Sequence, residues 1–120
     1  MDESHGLVEE MSIPSFGRAV RYSDYGDPAK VLQMEQVPVP GLSAGEVLLQ
    51  MEATTIHPSD IGLINGSYGR LRDLPAVAGR EGVGTVVAVG PGVDEKVMGR
   101  PAALPEDQGT WQDYVKVRAD

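Results

Sequence analysis

The chain has no cysteine, few aromatics and no apolar run of membrane-spanning length. Each shortage excludes something. Without cysteine there are no disulfides and no thiolate-based zinc sites, and nothing points to an oxidising compartment. With aromatics at 5%, core volume has to come from Val, Leu, Ile, Met and Ala. Short apolar runs exclude a transmembrane helix, so no membrane partner is expected. Basic residues are outnumbered, 10 Lys and Arg against 18 Asp and Glu, for a net charge of −8. The densest basic group, Arg70, Arg72 and Arg80, holds only three. A nucleic-acid partner, which needs clustered cations, is therefore not expected.

The 120 residues, 41% apolar and 23% charged, suit one globular domain with a modest core. The opening "MDESHGLVEEMS" is acidic, with neither the basic nor the apolar region of a signal peptide, so the cytoplasm is the expected compartment. Residues 1–15 read as a flexible acidic tail that contains His5, and 16–120 as the folded domain.

From Arg18 onward the pattern is that of strands broken by turns. "RAVRY" is a strand candidate closed by the turn cluster "SDYGDPAK". "VLQMEQVPVP" alternates until two prolines limit its pairing. "EVLLQMEATTI" places Val47, Leu49 and Met51 on one face and Leu48, Gln50 and Glu52 on the other. "EGVGTVVAVGPGV" is strongly β-branched, "EKVMGRPAAL" a weaker strand, and "TWQDYVKVRA" a last alternating one with Trp111 and Tyr114 as packing residues on opposite faces. One short helix is expected from Pro58. Proline suits a first turn, Ser59 or Asp60 can cap it, Ile61, Leu63 and Ile64 face inward, and Asn65-Gly66 ends it. The fold class is mostly β, a small barrel or sandwich with a short helix.

Candidate sites are few. Gly79, Gly82 and Gly84 have the spacing G-x-x-G-x-G, the reverse of a dinucleotide fingerprint, and a strand follows them in place of a phosphate-holding helix. Close backbone approach explains them better. His57 has no second histidine or cysteine at ligand spacing, so a structural role outweighs a metal site. Asp60 and Glu81 could join it, but spacing alone does not bring them together. Tyr68, in the loop "GSYG", reads as a surface aromatic, and Arg80-Glu81 as an ion pair at a strand entrance.

A resemblance adds to this. "VPVPGLSAGEVLLQMEAT", "HPSDIGLINGSYG", "LPAVAGREGVGTVVAVGPGV" and "GTWQDYVKV" resemble, in order and spacing, the N-terminal GroES-like domain of medium-chain dehydrogenases/reductases. Within that superfamily, "INGSYGRLRDLPAVAGREGVG" looks most like the zinc-independent enoyl-thioester reductases of the mitochondrial type, with quinone oxidoreductases next. The resemblance implies a GroES-like, partly open β-barrel and an NADPH-dependent reductase of α,β-unsaturated thioesters or quinones. It also implies a homo-oligomer acting on a small molecule.

In zinc-dependent relatives a cysteine ligand stands at the position of His57 and a histidine at that of Arg80. A guanidinium cannot ligate a metal, so the resemblance implies no metal here. It makes Tyr68 the catalytic candidate, a phenol that protonates the α-carbon after hydride reaches the β-carbon. His57, Ser59 and Asp60 would lie near the nicotinamide.

Two departures stand out. Zinc-free members usually carry asparagine where His57 stands, and Met98-Gly99-Arg100-Pro101 replaces a Gly-Asp-Arg-Val turn. The NADPH-binding Rossmann domain and the C-terminal return of the fold are not in the sequence, so a truncated, inactive piece is expected. The alternative is a free-standing GroES-like binding or assembly module without enzymatic activity.

Overall fold

A computed structural model describes residues 13–104 and 108–119. Most of the expected tail thus lies outside the described residues. Of its last part, the Ser15 carbonyl accepts from the Val39 N–H at 2.9 Å.

Seven strands form two antiparallel sheets. The first has the order β2-β1-β4, built from β1 (Phe16–Tyr22), β2 (Gln33–Pro38) and β4 (Ala76–Val77). The second, β6-β5-β3-β7, contains β3 (Glu46–Thr54), β5 (Gly82–Val89), β6 (Pro101–Ala103) and β7 (Tyr114–Arg118). An isolated bridge, Ala19 to Gln112, ties one sheet to the other. The mostly-β expectation holds, with β2, β4, β6 and β7 as the outer strands among the described residues.

β3 lies between β5 and β7. Val47 and Leu49 join Val86, Leu104 and Val115 in the larger core cluster, with Met51 packed against it. Leu48, expected on the polar face with Gln50 and Glu52, is buried as well, whereas Gln50 and Glu52 are exposed as expected. The smaller cluster holds Tyr22, Ile64, Ala76 and Ala78, with Trp111 against them.

The expected glycine role is met in β5. A Cβ at Gly84 would stand 2.7 Å from the Gln50 carbonyl oxygen, and one at Gly82 2.9 Å from that of Ala53. At these positions β5 approaches β3 too closely for a side chain.

Three local expectations need correction. "SDYGDPAK" is not all turn: α1 (Pro28–Val31) is one helical turn, started by the Asp27 side chain accepting from the Ala29 N–H at 3.0 Å. Within "EKVMGRPAAL", Glu95–Val97 is a 3₁₀ turn, and only Pro101–Ala103 is strand. The Asp94 side chain accepts from the Lys96 N–H and so begins that turn. Trp111 precedes β7 and packs into the smaller cluster, so it does not alternate with Tyr114 along one strand.

α2 (Pro58–Asn65) forms where expected. Pro58 occupies its first turn, and Gly66 ends it in the left-handed region, φ 89°. The cap position itself falls to His57, and Asp60 reaches back to accept its N–H at 2.7 Å. Leu63 and Ile64 are buried as expected, whereas Ile61 is only half-buried.

Candidate functional site

The site is assembled around one backbone carbonyl. The Glu81 oxygen faces two hydroxyls, those of Thr54 at 2.8 Å and Thr110 at 3.0 Å, which also lie 2.7 Å from each other. Trp111 Nε1 donates to the Thr55 carbonyl at 3.0 Å, two residues before His57. These contacts fasten the start of β5 to the end of β3. The fastening carries the Glu81 side chain to His57 across 24 positions of sequence. His57 Nε2 and Glu81 Oε1 are 2.9 Å apart, with both side chains about half exposed (45% and 50%). Glu81 is thus engaged by His57.

Arg80 follows Gly79, whose φ of 103° is a left-handed conformation. A side chain there would collide with Thr110 Oγ1 and Trp111 Cδ1. Arg72 holds the same segment from the other side, Nη1 donating to the Val77 carbonyl at 2.6 Å and Nη2 to that of Gly79 at 2.8 Å. From this pinned turn, Arg80 Nη1 donates to Ser59 Oγ at 3.1 Å, and the Arg80 guanidinium carbon lies 5.8 Å from the centre of the Tyr68 ring.

The expected residues are therefore disposed as follows. Tyr68 is 48% exposed, with its backbone N–H on the Gly62 carbonyl at 3.2 Å. Ser59 is joined to it through Arg80. His57 is joined to Glu81. Asp60 is 1% exposed, with one carboxylate oxygen on the His57 N–H and the other buried without a partner. Its visible part is to fix the helix start beneath the site, a role that the S/T/D-type capping pattern signals. Sequence reasoning did not foresee Arg80 as a side chain of the site. Its signals were its place beside Glu81 and, through the resemblance, the ligand histidine that zinc-dependent relatives carry at the same position.

Chemically, the cluster offers an exposed phenol, an imidazole–carboxylate pair, a serine hydroxyl and a guanidinium. Among the described residues, no group of three His, Cys, Asp or Glu side chains could hold a metal ion. An open apolar hollow lined by Ala53, Thr54, Thr55, Gly82, Val83 and Leu104 borders Glu81.

Comparison with known proteins gives a consistent set of likenesses. The Alcohol dehydrogenase GroES-like domain family matches residues 43–120. A mitochondrial enoyl-[acyl-carrier-protein] reductase of Bos taurus is 50% identical over 101 residues, covering 82% of this chain and 27% of that protein. A candidate NADPH:quinone reductase from Bacillus thuringiensis superposes with a TM-score of 0.79 at 37% identity, over 87% of this chain and 31% of its own. Etr1p, solved with NADP and crotonyl-CoA, gives a TM-score of 0.78 at 26% identity, over 88% of this chain and 32% of its own. The chain spans between about a quarter and a third of the length of these proteins.

Proposed function

The chain belongs to the Alcohol dehydrogenase GroES-like domain family, and we propose from that premise that it is the catalytic-domain portion of an NADPH-dependent, zinc-independent reductase of enoyl thioesters. Quinones are the second substrate class, supported by the likeness to the Bacillus thuringiensis protein. The observation that carries the reading is Tyr68, an exposed phenol seated beside Arg80 and Ser59.

In this reading NADPH, when bound, would supply a hydride to the β-carbon of the substrate. This chain's residues handle the rest. Tyr68 gives its hydroxyl proton to the α-carbon, so the carbon–carbon double bond becomes single and a phenolate remains to be reprotonated by water. The polar rim fits the carboxamide end of a nicotinamide: the exposed imidazole of His57 and the hydroxyl of Ser59 offer polar atoms, while buried Asp60 holds the turn that presents them. The hollow beside Glu81 gives apolar surface to the hydrocarbon part of a substrate.

Zinc independence rests on two features. Arg80 stands where a ligand would be needed and cannot coordinate, and the His57 ring is already engaged by Glu81. A catalytic zinc needs three protein ligands. Stoichiometric zinc in the purified protein would overturn this part.

The proposed assembly is a homo-oligomer; the Etr1p/Etr2p heterodimer from Candida tropicalis among the similar structures supports only the coarser point, assembly from more than one chain. A monomer by sedimentation would remove it. No described helix is long and apolar enough to cross a membrane. The proposed compartment is the cytoplasm, although the Bos taurus relative is mitochondrial, and mitochondrial import of the gene's full product would overturn that.

The decisive test uses the gene's full product, NADPH and crotonyl-CoA. Tyr68→Phe deletes one hydroxyl, so the general-acid contribution of about 10² to 10⁴-fold should vanish from kcat, with KM little changed. Wild-type turnover in Tyr68→Phe would return this tyrosine to the surface.

A further inference from the structure

Tyr68 leaves α2 just after Gly66, and its loop is fixed to the helix by backbone bonds. The N–H groups of Ser67 and Tyr68 both donate to the Gly62 carbonyl, at 2.9 and 3.2 Å. Those bonds set the main chain but not the ring, which is half exposed. The ring meets Arg80, which arrives from the pinned turn at Gly79 and is bound at one nitrogen to Ser59 Oγ. One guanidinium thus spans from the first turn of α2 to the tyrosine beyond its end.

We infer that Arg80 is a positioning residue for Tyr68, holding the ring in place and offsetting the negative charge that the phenol acquires as it gives up its proton. The inference rests on the reading of Tyr68 as proton donor. Its physical basis is a difference between two states. A cation about 6 Å from a ring attracts the quadrupole of a neutral phenol weakly. It attracts the full charge of a phenolate more strongly, in a site partly shielded from water. An interaction that grows along the reaction raises kcat and leaves substrate binding alone. The fork geometry matters too, because one nitrogen stays on Ser59 while the guanidinium carbon lies 5.8 Å from the ring centre.

The test uses the gene's full product with NADPH and crotonyl-CoA. Arg80→Met should lower kcat about 10- to 100-fold with KM changed by less than about three-fold. Arg80→Lys, which keeps the charge and loses the fork, should recover part of the loss. In a Tyr68→Phe background, Arg80→Met should cost little more, because the group it serves is gone. Should Arg80→Met fail to fold, Ser59→Ala releases the tether alone and should show the same pattern at smaller size. An equal loss in both backgrounds, a loss confined to KM, or full activity in Arg80→Met would each overturn the inference.

A second readout separates this inference from its premise. The aromatic NMR signals of Tyr68, identified by their absence in Tyr68→Phe, should move more in Arg80→Met than in Arg80→Lys. Unmoved signals sink the positioning role whatever the activity, whereas full activity in Tyr68→Phe sinks the proton-donor reading and the charge role with it.

Discussion

Tyr22→Phe should stabilise the domain, against the usual direction for a buried tyrosine. Tyr22 is 1% exposed within the smaller core cluster, and its hydroxyl is buried without a hydrogen-bond partner among the described residues. A buried polar group left unpaired costs about 1–3 kcal/mol, whereas a satisfied one contributes about 1 kcal/mol. Removing this oxygen keeps the ring and its tilted contact with Tyr25, 6.5 Å between centres. A gain of about 1 kcal/mol is therefore expected, which for a domain of this size is a rise in Tm of about 4 °C. Equilibrium urea unfolding followed by circular dichroism at neutral pH measures it, with the m-value unchanged.

The same hydroxyl predicts a pH dependence. Burial raises the Tyr22 phenol above its ordinary value, the Arg72 cation opposes that rise, and Tyr25 adds to it. The folded state therefore holds this proton more tightly than the unfolded state. Stability from the neutral phenol is fully present below the ordinary tyrosine pKa of about 10 and is lost as pH rises through the folded value. The variant lacks this loss, so its advantage should widen in alkali. A destabilisation of about 1 kcal/mol at neutral pH, or an advantage that does not grow with pH, would refute the reasoning.

Gly79→Ala should destabilise by about 3 kcal/mol or more, adding a strained left-handed backbone to a collision with Thr110 and Trp111; urea unfolding near wild type would contradict it. His57→Asn removes a side-chain hydrogen bond to Glu81 whose partners are both about half exposed. Stability should therefore change by less than about 1 kcal/mol, and turnover with crotonyl-CoA should stay near wild type or rise slightly. A collapse in kcat would move the chemistry to His57. The hydrogen bond from Arg18 holds the Asp113 carboxyl below its usual range. Its stabilisation is present above the unfolded pKa and lost as pH falls through the lowered folded value. Asp113→Asn should therefore flatten the acid side of the stability profile, and an unchanged acid limb would count against it.

What was legible in the sequence follows from the range of the interactions. β1, β3, β5 and β7 announce themselves through alternation or β-branched runs, because each buries at least one face. α2 is written in Pro58 and Asn65-Gly66. α1 is a single turn, too short for any period, and its only mark is Asp27 before Pro28. β4 is two residues whose strand character comes from pairing with Arg21 and Tyr22, not from themselves. The site divides in the same way. Motif likeness pointed to Tyr68, His57, Ser59 and Asp60 one by one. That His57 meets Glu81 and Arg80 meets Ser59 depends on where β5 is fastened to β3, which no local pattern encodes. Ser59 and Arg80 are 21 positions apart.

The outer strands raise a question of solubility. β2 ends at Pro38 and β6 begins at Pro101, and proline on an edge discourages another chain from adding to it. β4 is too short to serve as a template. The outer edge of β7 has neither defence, since Tyr114–Arg118 is a five-residue run without proline. Lys116 and Arg118 are exposed there, and such charges are the remaining guard against edge-to-edge aggregation. Among the described residues, Lys116, 3.9 Å from Glu46, and Arg118 are thus the charges that set how readily this edge accepts another strand.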